Sequence, residues 1–205
     1  YLIARLSLPV LPAVVVAGVF AFGTAAWSNA SRSLQQHASS ILALALTLQI
    51  LLLARKSPRL VQFAGFTLAF SYLCRPLNAI SILLLTVYVF LEYRRFFLRY
   101  VLWAVPVTAG LLAYNYAIYG APLQPYYTYR IGSNPHLAEG LAGVLVSANR
   151  GMFLFSPVLL FCLYGIAVKI RGGGWDRLDW FLAGIMLLHW MAVASILYSF
   201  IQSLS

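Results

Sequence analysis

The chain has 205 residues, of which 62% are hydrophobic and only 9% are charged, and its mean hydropathy is +0.86. Soluble domains are about half apolar and about a quarter charged, so this chain has too little polar surface to cover a core in water. The composition therefore excludes the soluble globular, disordered and nucleic-acid-binding classes, even though the formal net charge is +10.

Seven apolar runs separated by polar breaks follow one another along the chain. Since a membrane-spanning helix needs about 20 residues, they predict an all-α, polytopic membrane helical bundle with about seven transmembrane helices. The predicted spans are about 8–27, 39–54, 60–74, 79–92, 100–119, 152–170 and 178–201. The sequence opens inside an apolar region at Tyr1 and stops at Ser205, just past another. We therefore expect residues 1–205 to be a single transmembrane-domain fragment of a longer protein.

Basic residues are distributed unequally between the two ends of these spans. One set of breaks holds ten of them: Arg5, Arg55, Lys56, Arg59, Arg94, Arg95, Arg99, Lys169, Arg171 and Arg177. The alternate set holds four: Arg32, Arg75, Arg130 and Arg150. Because Lys and Arg collect in cytoplasmic loops, this ratio predicts that the Arg5 side is cytoplasmic and that the four arginines lie on the outer side.

Two of the predicted spans, 60–74 and 79–92, are short. Fourteen or fifteen helical residues extend only about 21–23 Å, whereas the hydrocarbon core is about 30 Å thick. The turn between them, which contains Arg75, is then expected to lie below the outer interface. Alternatively, the helices extend further, and Arg95 and Arg99 reach the cytoplasmic interface by snorkelling.

The outer loop 120–150 is unusually long, which is typical of functional or disordered segments. Within it, Asn134-Pro135 has the pattern of a helix N-cap followed by proline at the first helical position. Apolar residues follow at helical spacing, namely Leu137, Leu141, Val144 and Leu145. This pattern predicts a short amphipathic helix on the outer face of the membrane.

The four outer arginines are candidates for phosphate binding. A permanently charged guanidinium is costly near hydrocarbon, and its planar fork suits phosphate oxygens. A lipid-linked phosphate or pyrophosphate would account for Arg32, Arg75, Arg130 and Arg150, with Arg75 the strongest candidate. The alternative is that each one pairs with phospholipid headgroups or caps a helix.

Other polar and aromatic residues are candidates for contacts with a substrate. Tyr126 and Tyr127 could form a platform on which a sugar ring packs. The alternative is that they belong to the belt of tyrosines that is usual at a membrane interface. Gln36 belongs to a polar stripe with Arg32 and Gln35, which share one helix face at the start of the second span.

His136 and Glu139 are three residues apart and could share one face of the loop helix. Such a pair could carry out acid–base chemistry or contribute to a metal site, and solvated or capping roles are the alternative. The sequence contains no Gly-rich phosphate loop, no Ser/His/Asp set and no Cys/His cluster. No catalytic residue and no metal ligand is therefore assigned, no cofactor is certain, and a divalent metal is left open.

Three stretches carry a family resemblance. The first consists of Ser-Arg-Ser-Leu-Gln-Gln-His at 31–37 together with Cys74-Arg75-Pro76. The second consists of Tyr114-Asn115-Tyr116 together with Gly120-Ala121-Pro122-Leu123 and Tyr126-Tyr127. The third is Asn149-Arg150-Gly151-Met152-Phe153-Leu154-Phe155-Ser156-Pro157. Together they resemble the bacterial GT-C glycosyltransferase superfamily, in the branch akin to protein mannosyltransferases and aminoarabinose transferases. The resemblance covers about residues 28–157.

The resemblance implies a multi-pass inverting transferase of the bacterial plasma (inner) membrane that takes a sugar from a polyprenyl-phosphate donor on the extracytoplasmic face. Its partners would be membrane lipid, the lipid-linked sugar and a glycan, lipid or protein acceptor. The family's catalytic aspartate lies in its first outer loop, which no segment here matches, so it is expected upstream of Tyr1. The alternative is a non-catalytic multi-pass protein: a polysaccharide flippase, a permease subunit or a lipid-binding scaffold.

Overall fold

The structure is a computed structural model that describes residues 1–31, 36–122, 137–147 and 151–202. Within these ranges the chain is helical and contains no strand, which confirms the predicted all-α class for them. The chain divides into two compact units, Tyr1–Leu111 and Leu112–Ser205, which are described separately.

In the part of the first unit that the structure describes, there are seven α-helices and two short 3₁₀ helices. The α-helices are α1 (Leu2–Arg5), α2 (Val10–Gly23), α3 (Ala26–Ser31), α4 (Gln36–Ala54), α5 (Ala64–Cys74), α6 (Ala79–Glu92) and α7 (Arg94–Tyr119), the last of which continues into the second unit. The 3₁₀ helices are Pro58–Phe63, before α5, and Pro76–Asn78, before α6. Each begins with proline, which lacks the N–H that a first helical turn leaves unpaired.

Helices α4 and α5 form the core of this unit. The buried residues of α4 follow one another three or four positions apart and so line one face: Ser40, Ala43, Thr47, Leu51 and Ala54. They are mostly small, which lets two backbones approach closely, as is common between membrane helices. A hydrogen bond of 2.7 Å joins the hydroxyl groups of Thr47 and Thr67 across the interface.

The beginning of α7 is fixed against its neighbours. Gly65 of α5 faces the backbone of Tyr100 so closely that a Cβ at position 65 would collide with the Tyr100 carbonyl oxygen. The Tyr100 hydroxyl lies 2.7 Å from Oγ1 of Thr86 in α6. The Phe63 and Trp103 rings pack edge to face with centroids 4.9 Å apart. These contacts connect α7 to the first 3₁₀ helix, to α5 and to α6.

Within its described residues, the second unit contains the end of α7 and four further helices: α8 (Leu137–Val146), α9 (Met152–Phe155), α10 (Leu159–Arg171) and α11 (Arg177–Gln202). Helix α8 lies in the stretch for which a short amphipathic helix is predicted. It packs on α11, where the indole Nε1–H of Trp190 donates to the Leu141 carbonyl at 3.1 Å.

The predicted span 152–170 is divided into two helices, α9 and α10. Ser156 adopts a non-helical conformation (φ −139°, ψ 64°) directly before Pro157. Proline disfavours the helical region for the residue that precedes it, which explains the interruption.

Helix α11 begins with a reciprocal capping arrangement between two aspartates. The N–H of Asp179 donates to the Asp176 carboxylate at 3.1 Å, and the N–H of Asp176 donates to the Asp179 carboxylate at 2.8 Å. Lys169 of α10 also binds Asp179, at 2.7 Å. Two otherwise unpaired donors are thus satisfied, and the connection between α10 and α11 is held by an ion pair.

Three helices in the described ranges are long and apolar enough to cross a membrane: Gln36–Ala54, Arg94–Tyr119 and Arg177–Ser195. Shorter apolar helices cover Val10–Gly23 and Pro76–Glu92. Many large apolar side chains point outward, such as Leu11 and Phe161, each 74% exposed. The described part of the chain is therefore helical with three candidate membrane-spanning helices, and the seven-span bundle stays a prediction.

Candidate functional site

Arg75 lies at the break between α5 and α6. It is extended (φ −148°, ψ 113°), as expected of a residue that precedes proline, so α5 ends at Cys74 and Arg75 leaves the helical path. Its backbone N–H donates to the Ser71 carbonyl at 3.0 Å. The side chain is half-buried.

The guanidinium of Arg75 is held by a histidine of another helix. Nη1 of Arg75 lies 3.2 Å from Nδ1 of His37, in the first turn of α4. A guanidinium can only donate, so Nδ1 accepts and the ring proton of a neutral His37 is on Nε2. His37 thereby orients the arginine without neutralising its charge.

Buried polar residues support the turn that carries Arg75. The Asn78 side-chain amide donates to Oγ of Ser40 at 2.7 Å and to the Ser71 carbonyl at 2.8 Å, and all three residues are buried. The backbone N–H of Asn78 donates to the carbonyl of Arg75 at 3.0 Å. Because buried polar groups are costly unless they are paired, this network specifies one geometry for the turn between α5 and α6.

The positive charge of Arg75 has no carboxylate partner within the described part of the chain. Its remaining guanidinium N–H groups can donate to a ligand, and a guanidinium recognises phosphate or carboxylate oxygens in a bidentate manner. The cluster of His37, Ser40, Ser71, Arg75 and Asn78, hereafter the Arg75 cluster, is thus suited to hold one anionic group.

The structure places only some of the other sequence-predicted site residues. Gln36 is exposed at the first position of α4, next to His37 in the chain. Glu139 is exposed in the first turn of α8, within the second unit. The predictions for six further residues lie outside the described residues: Arg32, Tyr126, Tyr127, Arg130, His136 and Arg150.

The residues that support Arg75 were not predicted as site residues from the sequence. Asn78 lies three positions after Arg75 and Ser71 lies four positions before it. This local spacing was the signal that could have identified them as neighbours of Arg75. His37 and Ser40 come from α4, and nothing in the local pattern relates them to Arg75.

The described ranges bring together no group of three or more His, Cys, Asp or Glu side chains that could hold a metal ion.

Asn115, part of the Tyr-Asn-Tyr stretch, is buried in α7, and its amide donates to the Pro122 carbonyl at 2.7 Å. It therefore fixes the start of the loop that follows α7. Gly120, with φ +64°, ends α7 in the left-handed conformation that glycine adopts without strain.

Comparisons with protein-family models, with curated proteins and with solved structures find no match to this chain.

Proposed function

We propose that this chain is part of an integral-membrane glycosyltransferase that moves a sugar from a polyprenyl-phosphate donor to an acceptor on the extracytoplasmic face of the bacterial plasma membrane. The observation that supports this proposal most is the Arg75 cluster. It presents an oriented guanidinium, without a carboxylate partner in the described ranges, in a chain whose helices are long enough to span a membrane.

The role of Arg75 follows from the charge changes of the reaction. The bond between the anomeric carbon and the donor phosphate oxygen breaks, the acceptor oxygen bonds to that carbon, and the acceptor proton passes to a base. The departing polyprenyl phosphate gains negative charge. A preoriented guanidinium stabilises the developing charge more strongly in the transition state than in the ground state, which lowers the barrier.

The other residues of the site are assigned by the sequence alone. Arg32 or Arg150 would share the donor phosphate with Arg75, Arg130 would contribute from the outer loop, and Tyr126 and Tyr127 would contact the sugar. Gln36, His136 and Glu139 would supply further polar contacts at the donor or the acceptor. The base is the aspartate that the family resemblance places upstream of Tyr1.

The test is Arg75→Ala and Arg75→Lys in the full-length protein, with transfer from a labelled polyprenyl-phosphate sugar as the readout. Loss of one charge-stabilising donor typically lowers kcat about 10²- to 10³-fold, and we expect that loss for Arg75→Ala. Arg75→Lys keeps the charge but not the planar fork, so an intermediate rate is expected. Arg171→Ala, which removes an exposed arginine from the end of α10, is the matched control.

Unchanged turnover and donor dependence in Arg75→Ala would contradict the phosphate-binding role. The alternative function is that of a flippase, a permease subunit or a lipid-binding scaffold. The reaction products distinguish these proteins from a transferase. A transferase releases free polyprenyl phosphate, whereas those proteins leave the sugar–phosphate bond intact.

A further inference from the structure

A second cationic feature of the first unit is a cleft whose lining does not include Arg75. It has a volume of about 380 Å³ and is lined by Arg59, Arg95, Phe96 and Arg99. Arg59 belongs to the first 3₁₀ helix, and the other three belong to the first two turns of α7. The three arginines are exposed, so a ligand can reach them from outside.

The walls of this cleft are fixed relative to each other. The Phe63–Trp103 contact and the close approach of Gly65 to Tyr100 hold the first 3₁₀ helix and the start of α5 against α7. The guanidinium of Arg95 lies 6.0 Å from the centre of the Phe96 ring, a cation–π distance. The arginines therefore converge on the cleft without a rearrangement of the backbone.

The charges around the cleft favour an anion. No acidic residue lies in the first turn of α7, although that end carries the positive pole of the helix dipole. Within the described ranges, Arg59, Arg95 and Arg99 form no ion pair. The three arginine side chains and the N-terminus of α7 are all positive and repel one another. One multivalent anion in the cleft would stabilise all of them.

The surface beside the cleft indicates which anion fits. Leu98 and Leu102 lie one turn apart on α7 and are 70% and 57% exposed. Helix α7 is itself apolar enough to cross a membrane, and it begins at Arg94. A ligand in the cleft thus meets arginines at its charged end and apolar helix surface beyond them.

We propose that this cleft binds the phosphate group of an anionic phospholipid, with the acyl chains lying along α7. Basic pockets beside the ends of membrane helices bind such headgroups. The guanidinium groups donate to the phosphate oxygens, while the leucines contact the chains. The assignment is independent of the proposed glycosyltransferase function, since it involves neither Arg75 nor a donor sugar.

The test measures how much phosphatidylglycerol the full-length protein retains, by native mass spectrometry after transfer from nanodiscs that contain phosphatidylcholine and phosphatidylglycerol. Arg95→Gln/Arg99→Gln is compared with Lys56→Gln/Arg171→Gln. Each variant removes two exposed positive charges, so the general attraction to an anionic surface is lowered equally. The cleft variant loses hydrogen bonds from charged donors to the phosphate, so it should bind phosphatidylglycerol at least about tenfold more weakly. The control should change by less than about twofold.

Arg59→Gln removes the charge on the opposite wall and should also weaken binding, which gives a second readout if the double variant accumulates poorly. Inorganic phosphate, added at the same phosphate concentration, should not displace the lipid, because it lacks the chains. Equal lipid loss in the cleft variant and the control would overturn the proposal. So would binding of inorganic phosphate in the cleft without binding of phosphatidylglycerol.

Discussion

The guanidinium of Arg75 lies 3.2 Å from Nδ1 of His37, a residue thirty-eight positions earlier in the chain. This contact joins the first turn of α4 to the break after α5. Because His37 accepts the hydrogen bond, it positions the arginine and leaves the positive charge available to a ligand.

Replacement of His37 should therefore release the arginine. In His37→Ala we expect a loss of about 1.5–3 kcal/mol of stability, since one hydrogen bond to a charged group is removed. Modification of Arg75 by phenylglyoxal, followed by peptide mass spectrometry, should become faster. His189→Ala is the control, because within the described ranges His189 bonds only to the carbonyl of Ile185 in its own helix, at 3.0 Å. An unchanged rate at Arg75 would show that His37 does not restrain it.

The contact between Asn78 and Ser40 should be energetically coupled. Asn78→Ala removes two hydrogen bonds inside the protein and should cost about 1–3 kcal/mol. A double-mutant cycle with Ser40→Ala, measured by denaturant unfolding in detergent, should give a coupling energy of at least about 0.5 kcal/mol. Strictly additive effects would mean that the two side chains do not interact in solution.

Gly65 should not tolerate a methyl group. Gly65→Ala would place Cβ against the Tyr100 carbonyl oxygen, which is backbone and cannot rotate away, so we expect a loss of about 1–3 kcal/mol. Gly18→Ala in α2 is the matched control, because nothing lies within 4 Å of a Cβ there. It should be neutral or slightly stabilising, since alanine favours the helix. The readout is the Tm of each variant, and equal values would contradict the close approach.

The start of α11 should depend on Asp179 in two separable ways. Asp179→Asn keeps an acceptor for the Asp176 N–H but loses the ion pair with Lys169, so a cost of about 0.2–1 kcal/mol is expected. Asp179→Ala also loses the cap, which adds about 1 kcal/mol. Hydrogen exchange at the first turn of α11 should rise in that order. Equal exchange in both variants would assign the whole effect to the ion pair.

The predicted orientation can be tested with single cysteines in a background that lacks Cys74 and Cys162. A cysteine at Gly174, between α10 and α11, should react with a membrane-impermeant maleimide only after the cells are permeabilised. A cysteine at Ala121, after α7, should react in intact cells. The reverse result would overturn the assignment of the Arg5 side to the cytoplasm.

The helical class and several boundaries could be predicted from the sequence, because long apolar runs and prolines act locally. The predicted span 79–92 coincides with α6, and the helix of 178–201 begins one residue earlier, at Arg177. The apolar run 152–170 shows where prediction from hydropathy fails. Its hydropathy is continuous, but the backbone restriction before Pro157 interrupts the helix.

The site was predictable only in part, for a related reason. Arg75 could be selected as a candidate because a charged residue between two short apolar runs requires an explanation, and its role in binding stays a prediction. Its partners could not, because the pairing of His37 with Arg75 and of Ser40 with Asn78 depends on how α4 packs against α5. Similarly, Arg59 and Arg99 were interpreted as topology signals, and only the folded chain brings them to one cleft.

The bracing of the Arg75 turn also has a kinetic consequence. Backbone hydrogen bonds from Arg75 to Ser71 and from Asn78 to Arg75, together with the Asn78 side chain, restrict the main chain at this point. The guanidinium is therefore oriented before any ligand arrives. Association at Arg75 should proceed in one step, with an observed rate that rises linearly with ligand concentration and does not level off at a gating rate.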